Sequence, residues 1–216
     1  MKTQKTIWRF AIYLIGMGLL AMGITLNTKA GLGASAIVSV PYTISQGTGW
    51  NFANLTLLTY FVLVLAQFFI KGKNRSLWDL LQIIVSIIFT RFLDLFQTLV
   101  TYQSGKLPFD LLVLLLGIIL TGMGAAMTVN MKLIPNPGDG IVGSIAERTG
   151  KEMGLCKNFF DIGCVCCSLV IGLFFGKLLL GVGLGTILSM IGVGRVISIF
   201  NKFTKQPLQK KAGLGE

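Results

Sequence analysis

Six runs of mainly apolar residues, each about 20 long, restrict this chain more than any other feature. They cover about 7–28, 52–70, 77–101, 108–131, 158–176 and 178–200. Each is long enough, as a helix, to cross a hydrocarbon layer roughly 30 Å thick. Lipid offers the backbone no hydrogen-bond partners, so such a chain folds as packed helices. Composition agrees. The chain is 53% hydrophobic and only 12% charged, and soluble domains carry about twice that charged share. The expected class is an all-α membrane protein in contact with a lipid bilayer.

The second constraint is internal repetition. Thr25, Asn27 and Lys29 return in the same order as Thr128, Asn130 and Lys132. Thr48-Gly49 returns as Thr149-Gly150, Gly72-Lys73 as Gly176-Lys177, Arg91 as Arg195 and Phe96 as Phe200. Nearly constant spacing is what duplication followed by small loop changes leaves. The first run therefore reads as a structural span rather than a cleaved signal, despite Lys2, Lys5 and Arg9 before it.

Charge sets the topology. Lys2, Lys5 and Arg9 precede the first span, Lys71, Lys73 and Arg75 follow the second, and Lys132, Arg148, Lys151 and Lys157 separate the fourth and fifth. The tail adds Lys202, Lys205, Lys210 and Lys211, while the opposite loops hold Lys29, Lys106 and Lys177. The bias places both termini in the cytoplasm. It also decides how the shorter segments 34–46 and 139–149 behave. If they crossed fully, the Lys71–Arg75 cluster would move outside. Read as re-entrant, they leave three crossings per half, and an odd number inverts the second half. The expected plan is six transmembrane helices as two inverted three-helix repeats, each with a short re-entrant half-helix. The first repeat is 1–106 with its re-entrant part at 30–46. The second is 107–203 with its re-entrant part at 134–149, and 204–216 is a basic cytoplasmic tail.

Both short segments begin with Gly or Pro and continue in a helical pattern, with Ser35 and Asp139 at the expected N-caps. The first amides of a helix lack intrahelical partners and carry partial positive charge. Two such ends entering from opposite sides would meet near the midplane and favour an anionic group. Ser35 and the Gly138-Asp139-Gly140 turn are therefore candidate binding residues, although simple capping explains Ser35 and Asp139 as well. Asn27 and Asn130 end spans beside these segments and suit either a binding site or the tethering of a broken backbone. Arg91 lies well inside its span, and an intramembrane charge points to function. Asp94 stands one turn on and can pair with it. Asp161 and Arg195 are further candidates, Arg195 being close enough to an end to snorkel.

Several classes are set aside. The chain has no histidine, which removes His-based acid–base work and His ligation. Cys164, Cys166 and Cys167 lie in one apolar span, and with Cys156 they read as small packing residues. No nucleophile–base pair or metal cluster is legible, so no enzyme, cofactor or metal is expected. The net charge of +11 falls at span ends rather than along one stripe, which argues against nucleic acid. The run Gly181-Val-Gly-Leu-Gly-Thr has no preceding strand, so it reads as close packing or a local break rather than a phosphate loop.

The Leu32-Gly-Ala-Ser segment followed by Thr48-Gly49, Pro137-Gly-Asp-Gly followed by Arg148-Thr-Gly, and Gly183-Leu-Gly-Thr together resemble the YczE/YitT-type bacterial membrane proteins. The resemblance runs from about residue 10 to 203. It departs where that family tends to carry a second Gly-x-Gly-Thr stretch and this chain has Arg75-Ser-Leu-Trp-Asp. It implies a polytopic bacterial membrane protein and supplies no substrate. The expected function is a small secondary transporter or permease for an anionic or zwitterionic metabolite held between the repeats. A substrate-binding subunit of a larger importer and a non-transporting accessory protein are the alternatives. A homo-oligomer is compatible with either.

Overall fold

A computed structural model describes residues 2–72 and 76–214. Lys73 and Arg75 of the basic loop, and the last two residues of the expected tail, lie outside the described residues. The regular elements of the described residues are helices: α1 (Lys2–Lys29), α2 (Ala36–Thr48), α3 (Phe52–Lys71), α4 (Leu81–Leu99), α5 (Leu107–Asn130), α6 (Pro137–Thr149), α7 (Met153–Phe174) and α8 (Leu184–Lys211). Five of these, α1, α3, α5, α7 and α8, are long and apolar enough to cross a membrane. Their outward faces carry exposed large apolar side chains such as Leu58, Phe69, Leu112, Leu116, Ile187 and Ile191, as lipid contact requires.

Two expected spans are redrawn. The run 77–101 opens with a 3-10 turn, Leu77–Leu80, before α4. Ser76 and Asp79 close that turn as a capping box, and the Lys71 ammonium pairs with Asp79 at 2.8 Å. These polar contacts hold the junction between α3 and α4 and keep α4 from starting earlier. The run 178–200 does not begin as a helix either, and α8 starts at Leu184. The backbone before it is committed elsewhere: Ala34 N–H donates to Gly181 O at 3.0 Å, and Gly185 N–H donates to Leu32 O at 2.6 Å. A Cβ on Gly183 would lie 2.5 Å from Leu32 O. The glycine run is thus a close backbone approach between the loop before α2 and the loop before α8. α8 also continues through Pro207 to Lys211, so much of the expected tail is helix.

The bundle is centred on α1 and α5. Gly16 and Gly23 of α1 face Gly124 and Gly117 of α5 so closely that backbone touches backbone, the usual device where helices associate without water to drive them. Gly16 meets the Gly124–Thr128 turn and Gly23 meets Gly117–Thr121, so the two helices run antiparallel. α4 packs on α1 and α8 packs on α5; α2 packs on α7 and α6 packs on α3. Gln97 Nε2 donates to Thr28 Oγ1 at 2.8 Å, and Asn130 Nδ2 donates to Asn201 Oδ1 at 2.7 Å. Each bond ties the last helix of a half to the end of its first helix.

The chain termini share one end of the bundle. Lys211 Nζ sits 5.6 Å from the centre of the Trp8 ring, a cation–π distance. Arg9 donates to Met131 O at 2.7 Å and Lys132 O at 2.6 Å, and Arg148 donates to Ile70 O at 2.7 Å. The ends of α3, α5 and α6 therefore gather with the termini. α2 and α6 have 13 residues each, roughly 20 Å of helix, and are too short to cross a hydrocarbon core upright.

Candidate functional site

A cavity of about 460 Å³ lies at this end, between the last turns of α3 and α5, the 131–136 loop, α6 and the start of α7. Its mouth carries Lys71, Asp79, Lys132 and Glu147; Gln67, Asn136, Asp139 and Gly140 line it deeper. The 131–136 wall is pinned from α1. Arg9 holds the carbonyls of Met131 and Lys132, and the Tyr13 hydroxyl donates to Ile134 O at 2.6 Å. Lys132 is held in the left-handed region at φ 47°, a conformation that costs a side-chain-bearing residue energy.

The inner end is built on the first turn of α6. Asn136, not Asp139, is the N-cap, and its Oδ1 accepts from Gly138 N–H at 3.1 Å. The expectation for Asp139 is corrected by Pro137. Proline suits the first helical position, which moves the cap one residue before it and places Asp139 in the third position of the helix. There its carboxylate lies at the positive end of the helix; it makes no hydrogen bond and no ion pair within 4 Å among the described residues, although the charge of Lys157 reaches it. Asn136 Nδ2 donates to the Tyr60 hydroxyl at 3.4 Å, and Tyr60 stacks on Phe89 with ring centres 5.9 Å apart.

Two glutamines meet at Gly140, Gln67 in the cavity wall and Gln82 beside it, outside the lining. Gln67 of α3 and Gln82 of α4 are each 1% exposed. A Cβ built on Gly140 would lie 2.6 Å from Gln82 Oε1 and 2.7 Å from Gln67 Oε1, so both carboxamides converge over that glycine. Gln67 Oε1 and both polar atoms of Gln82 have no hydrogen-bond partner among the described residues. Leaving such a group unmatched costs about 1–3 kcal/mol, and native interiors rarely tolerate several together.

The remaining expected site residues fall elsewhere. Gly138 comes against Ile37, whose methyl carbons would be 3.1 Å from a Cβ there. The starts of α2 and α6 thus do meet, but with an apolar side chain between them. Ser35 is the N-cap of α2 and makes no side-chain capping bond. Asn27 donates to Ser189 Oγ at 2.6 Å, and Asn130 is tied to Asn201; both act as tethers to α8. Arg91 does not pair with Asp94. It donates to Asn54 Oδ1 at 2.7 Å, while Asp94 accepts from Asn51 Nδ2 at 2.7 Å, because the start of α3 offers both of them amide partners. Asp161 is buried beside Lys157 at 3.6 Å, and Arg195 is exposed on α8. Of the expected binding residues, the cavity brings together Asp139 and Gly140. Gln67, Gln82 and Asn136 were not anticipated. The available signal was a glutamine set among apolar residues in each of two runs.

A smaller cavity, about 250 Å³, opens at the opposite end beside the loop before α2, against Gly31, Gly33, Tyr42, Leu179 and Gly183. Each short helix thus has a cavity beside its leading loop, and the two cavities lie at opposite ends of the bundle.

The model of DUF6198, a family of unknown function, matches residues 7–202. The chain belongs to that family. No curated protein and no solved structure matches it. The DUF6198 match covers every helix that lines the larger cavity, so the site lies within the family's shared extent.

Proposed function

We propose that this DUF6198 chain is a small transporter or permease for an anionic or zwitterionic metabolite, and that the larger cavity is its binding site. The observation that carries the reading is the set of uncommitted, buried amide atoms of Gln67 and Gln82 beside a cavity roomy enough for a small metabolite. A purely structural bundle has no use for such atoms, because apolar residues would pack there at less cost.

The repeat supports a mechanism. In this reading the halves 1–106 and 107–203 are inverted copies, related by an axis between α1 and α5. Helices holding the same place in each half run antiparallel, and α2 on α7 is matched by α6 on α3. Rocking one half against the other would close the cavity at the terminus-bearing end and widen the one opposite. The terminus-bearing end gathers most of the lysines and arginines, which makes it cytoplasmic by the positive-inside rule. The glycine-rich motifs around Leu32–Ser35 and Pro137–Gly140 are the elements that would align the chain with the YczE/YitT type.

Uptake tests this. Liposomes containing the protein are exposed to a mixed pool of small metabolites, and their contents are read by mass spectrometry. Enrichment of a small zwitterion or carboxylate over empty liposomes is expected. It should be lost in Gly143→Phe, because Gly143 lines the cavity and nothing lies within 4 Å of a Cβ built there. No enriched species at all would sink the reading.

A further inference from the structure

The inner end of the cavity has a definite polarity, and it is not the one that two converging helix ends would create. Ser144 Oγ is spent on Gly140 O at 2.9 Å, and Asn136 is spent on Gly138 and Tyr60. What remains uncommitted is the Asp139 carboxylate and the carboxamides of Gln67 and Gln82. The carboxamides are neutral and can present an oxygen. The carboxylate can only accept while ionised. The inner end therefore offers the Asp139 carboxyl group and, converging over Gly140, the side-chain oxygens of Gln67 and Gln82.

At the mouth the charges balance. Lys71 is paired with Asp79, and Lys132 shares the rim with Glu147. No arginine lines the cavity. Arg9 stands behind its wall and is committed to two carbonyls. A carboxylate or phosphate placed at the inner end would face the ionised Asp139, and Lys157, the cation whose charge reaches Asp139, is already shared with Asp161 at 3.6 Å. Like charges brought together away from water repel strongly.

We infer that the inner end of this cavity receives a protonated amino group, held by the Asp139 carboxylate and the side-chain oxygens of Gln67 and Gln82. An ammonium has three N–H donors and no acceptor, which suits two carboxamide oxygens that converge over Gly140 and a carboxyl group in the same helix turn. The ion pair is hydrogen-bonded and partly desolvated, the setting in which such contacts are strongest. This rests on the reading of the cavity as a substrate site. It narrows that reading to metabolites bearing an amine, amino acids among them, and removes simple anions.

The test is a thermal-stability screen of the purified full-length protein with matched probes: glycine, methylamine and acetate; leucine, isopentylamine and 4-methylpentanoate; phenylalanine, phenethylamine and 3-phenylpropanoate. A ligand that binds the native state raises its midpoint by mass action. Stabilisation by amine-bearing members, with none from the matched carboxylates, is expected. Asp139→Asn should weaken that binding at least tenfold. Gln67→Met, which keeps the side-chain volume, should weaken it as well, so the conclusion stands even if one variant fails to fold. Stabilisation by carboxylates without amines overturns the amino-group assignment and leaves the transporter reading in place. Amine stabilisation that survives both substitutions overturns the assignment too, because the amine then sits elsewhere. Silence from every probe overturns both.

Discussion

Gly140→Ala adds one methyl group at the point where the two glutamines converge. That methyl carbon would stand 2.6 Å from Gln82 Oε1 and 2.7 Å from Gln67 Oε1. Both oxygens have to retreat by several tenths of an ångström to restore ordinary contact. They are the far ends of flexible side chains, so the backbone can stay. Overpacking costs about 1–3 kcal/mol, and replacing glycine by alanine within a helix returns about 1 kcal/mol. The net loss of stability should be about 0–2 kcal/mol, measured by thermal or denaturant unfolding in detergent. Binding should suffer more. Two carboxamides pushed out of place forfeit two hydrogen bonds to the ligand, at about 0.5–1.5 kcal/mol each. That is roughly 5- to 150-fold in affinity. Gly163→Ala is the control, because it lies in α7 with nothing within 4 Å of its Cβ. Unchanged ligand binding in Gly140→Ala would refute the placement of the site. Wholesale unfolding would refute the claim that only side-chain ends yield.

Other consequences follow from the same contacts. Gly124→Ala would drive a methyl group into the backbone of α1, against Leu20 N and 2.6 Å from Gly16 O; with no side chain to rotate away, the loss should reach the upper part of the roughly 1–3 kcal/mol overpacking range. Gly18→Ala, which meets nothing within 4 Å, should cost nothing and gain up to about 1 kcal/mol in the same unfolding assay. Asn136→Ala removes the cap of α6 and its bond to Tyr60, so it should cost about 0.5–2 kcal/mol and weaken ligand binding by loosening the turn that carries Asp139. Thr48 and Thr149 hold the same place in the two repeats and are both exposed. Cysteines placed there in turn, in a chain lacking the four native cysteines, should be labelled from opposite sides of the membrane, and labelling from one side would refute the inverted arrangement.

Much of the helical plan could be read from the chain because apolar runs and loop charges report directly on crossing segments. The starts of α3 and α5 and the end of α1 fall within a residue or so of the expected runs. The misplacements came where one segment's shape is decided by a distant one. The Gly181–Gly185 run hints at a break, but nothing local says that Leu178–Gly183 as a whole stays out of a helix. Its partner is the 32–34 backbone, far away in sequence. Arg91 and Asp94 sit at helical pairing distance, yet asparagines at the start of α3 win both. The site was half legible. The Pro137–Gly140 turn stood out because proline and glycine punctuate the backbone. Gln67 and Gln82 are isolated amides on different helices, and only the fold shows them meeting over Gly140. Ile37 lies over Gly138, and Asp139 adds a carboxyl group in the same helix turn.

Gly143→Cys in a chain lacking Cys156, Cys164, Cys166 and Cys167 tests the central claim most directly. Position 143 lines the cavity and has open space for a side chain. Labelling by a membrane-impermeant thiol reagent is followed in inside-out and right-side-out vesicles, with and without the amine that stabilises the protein most. Rapid labelling from the cytoplasmic side, slowed by that amine, is predicted. Labelling that ignores the amine, or that comes from the outer face alone, would contradict the account.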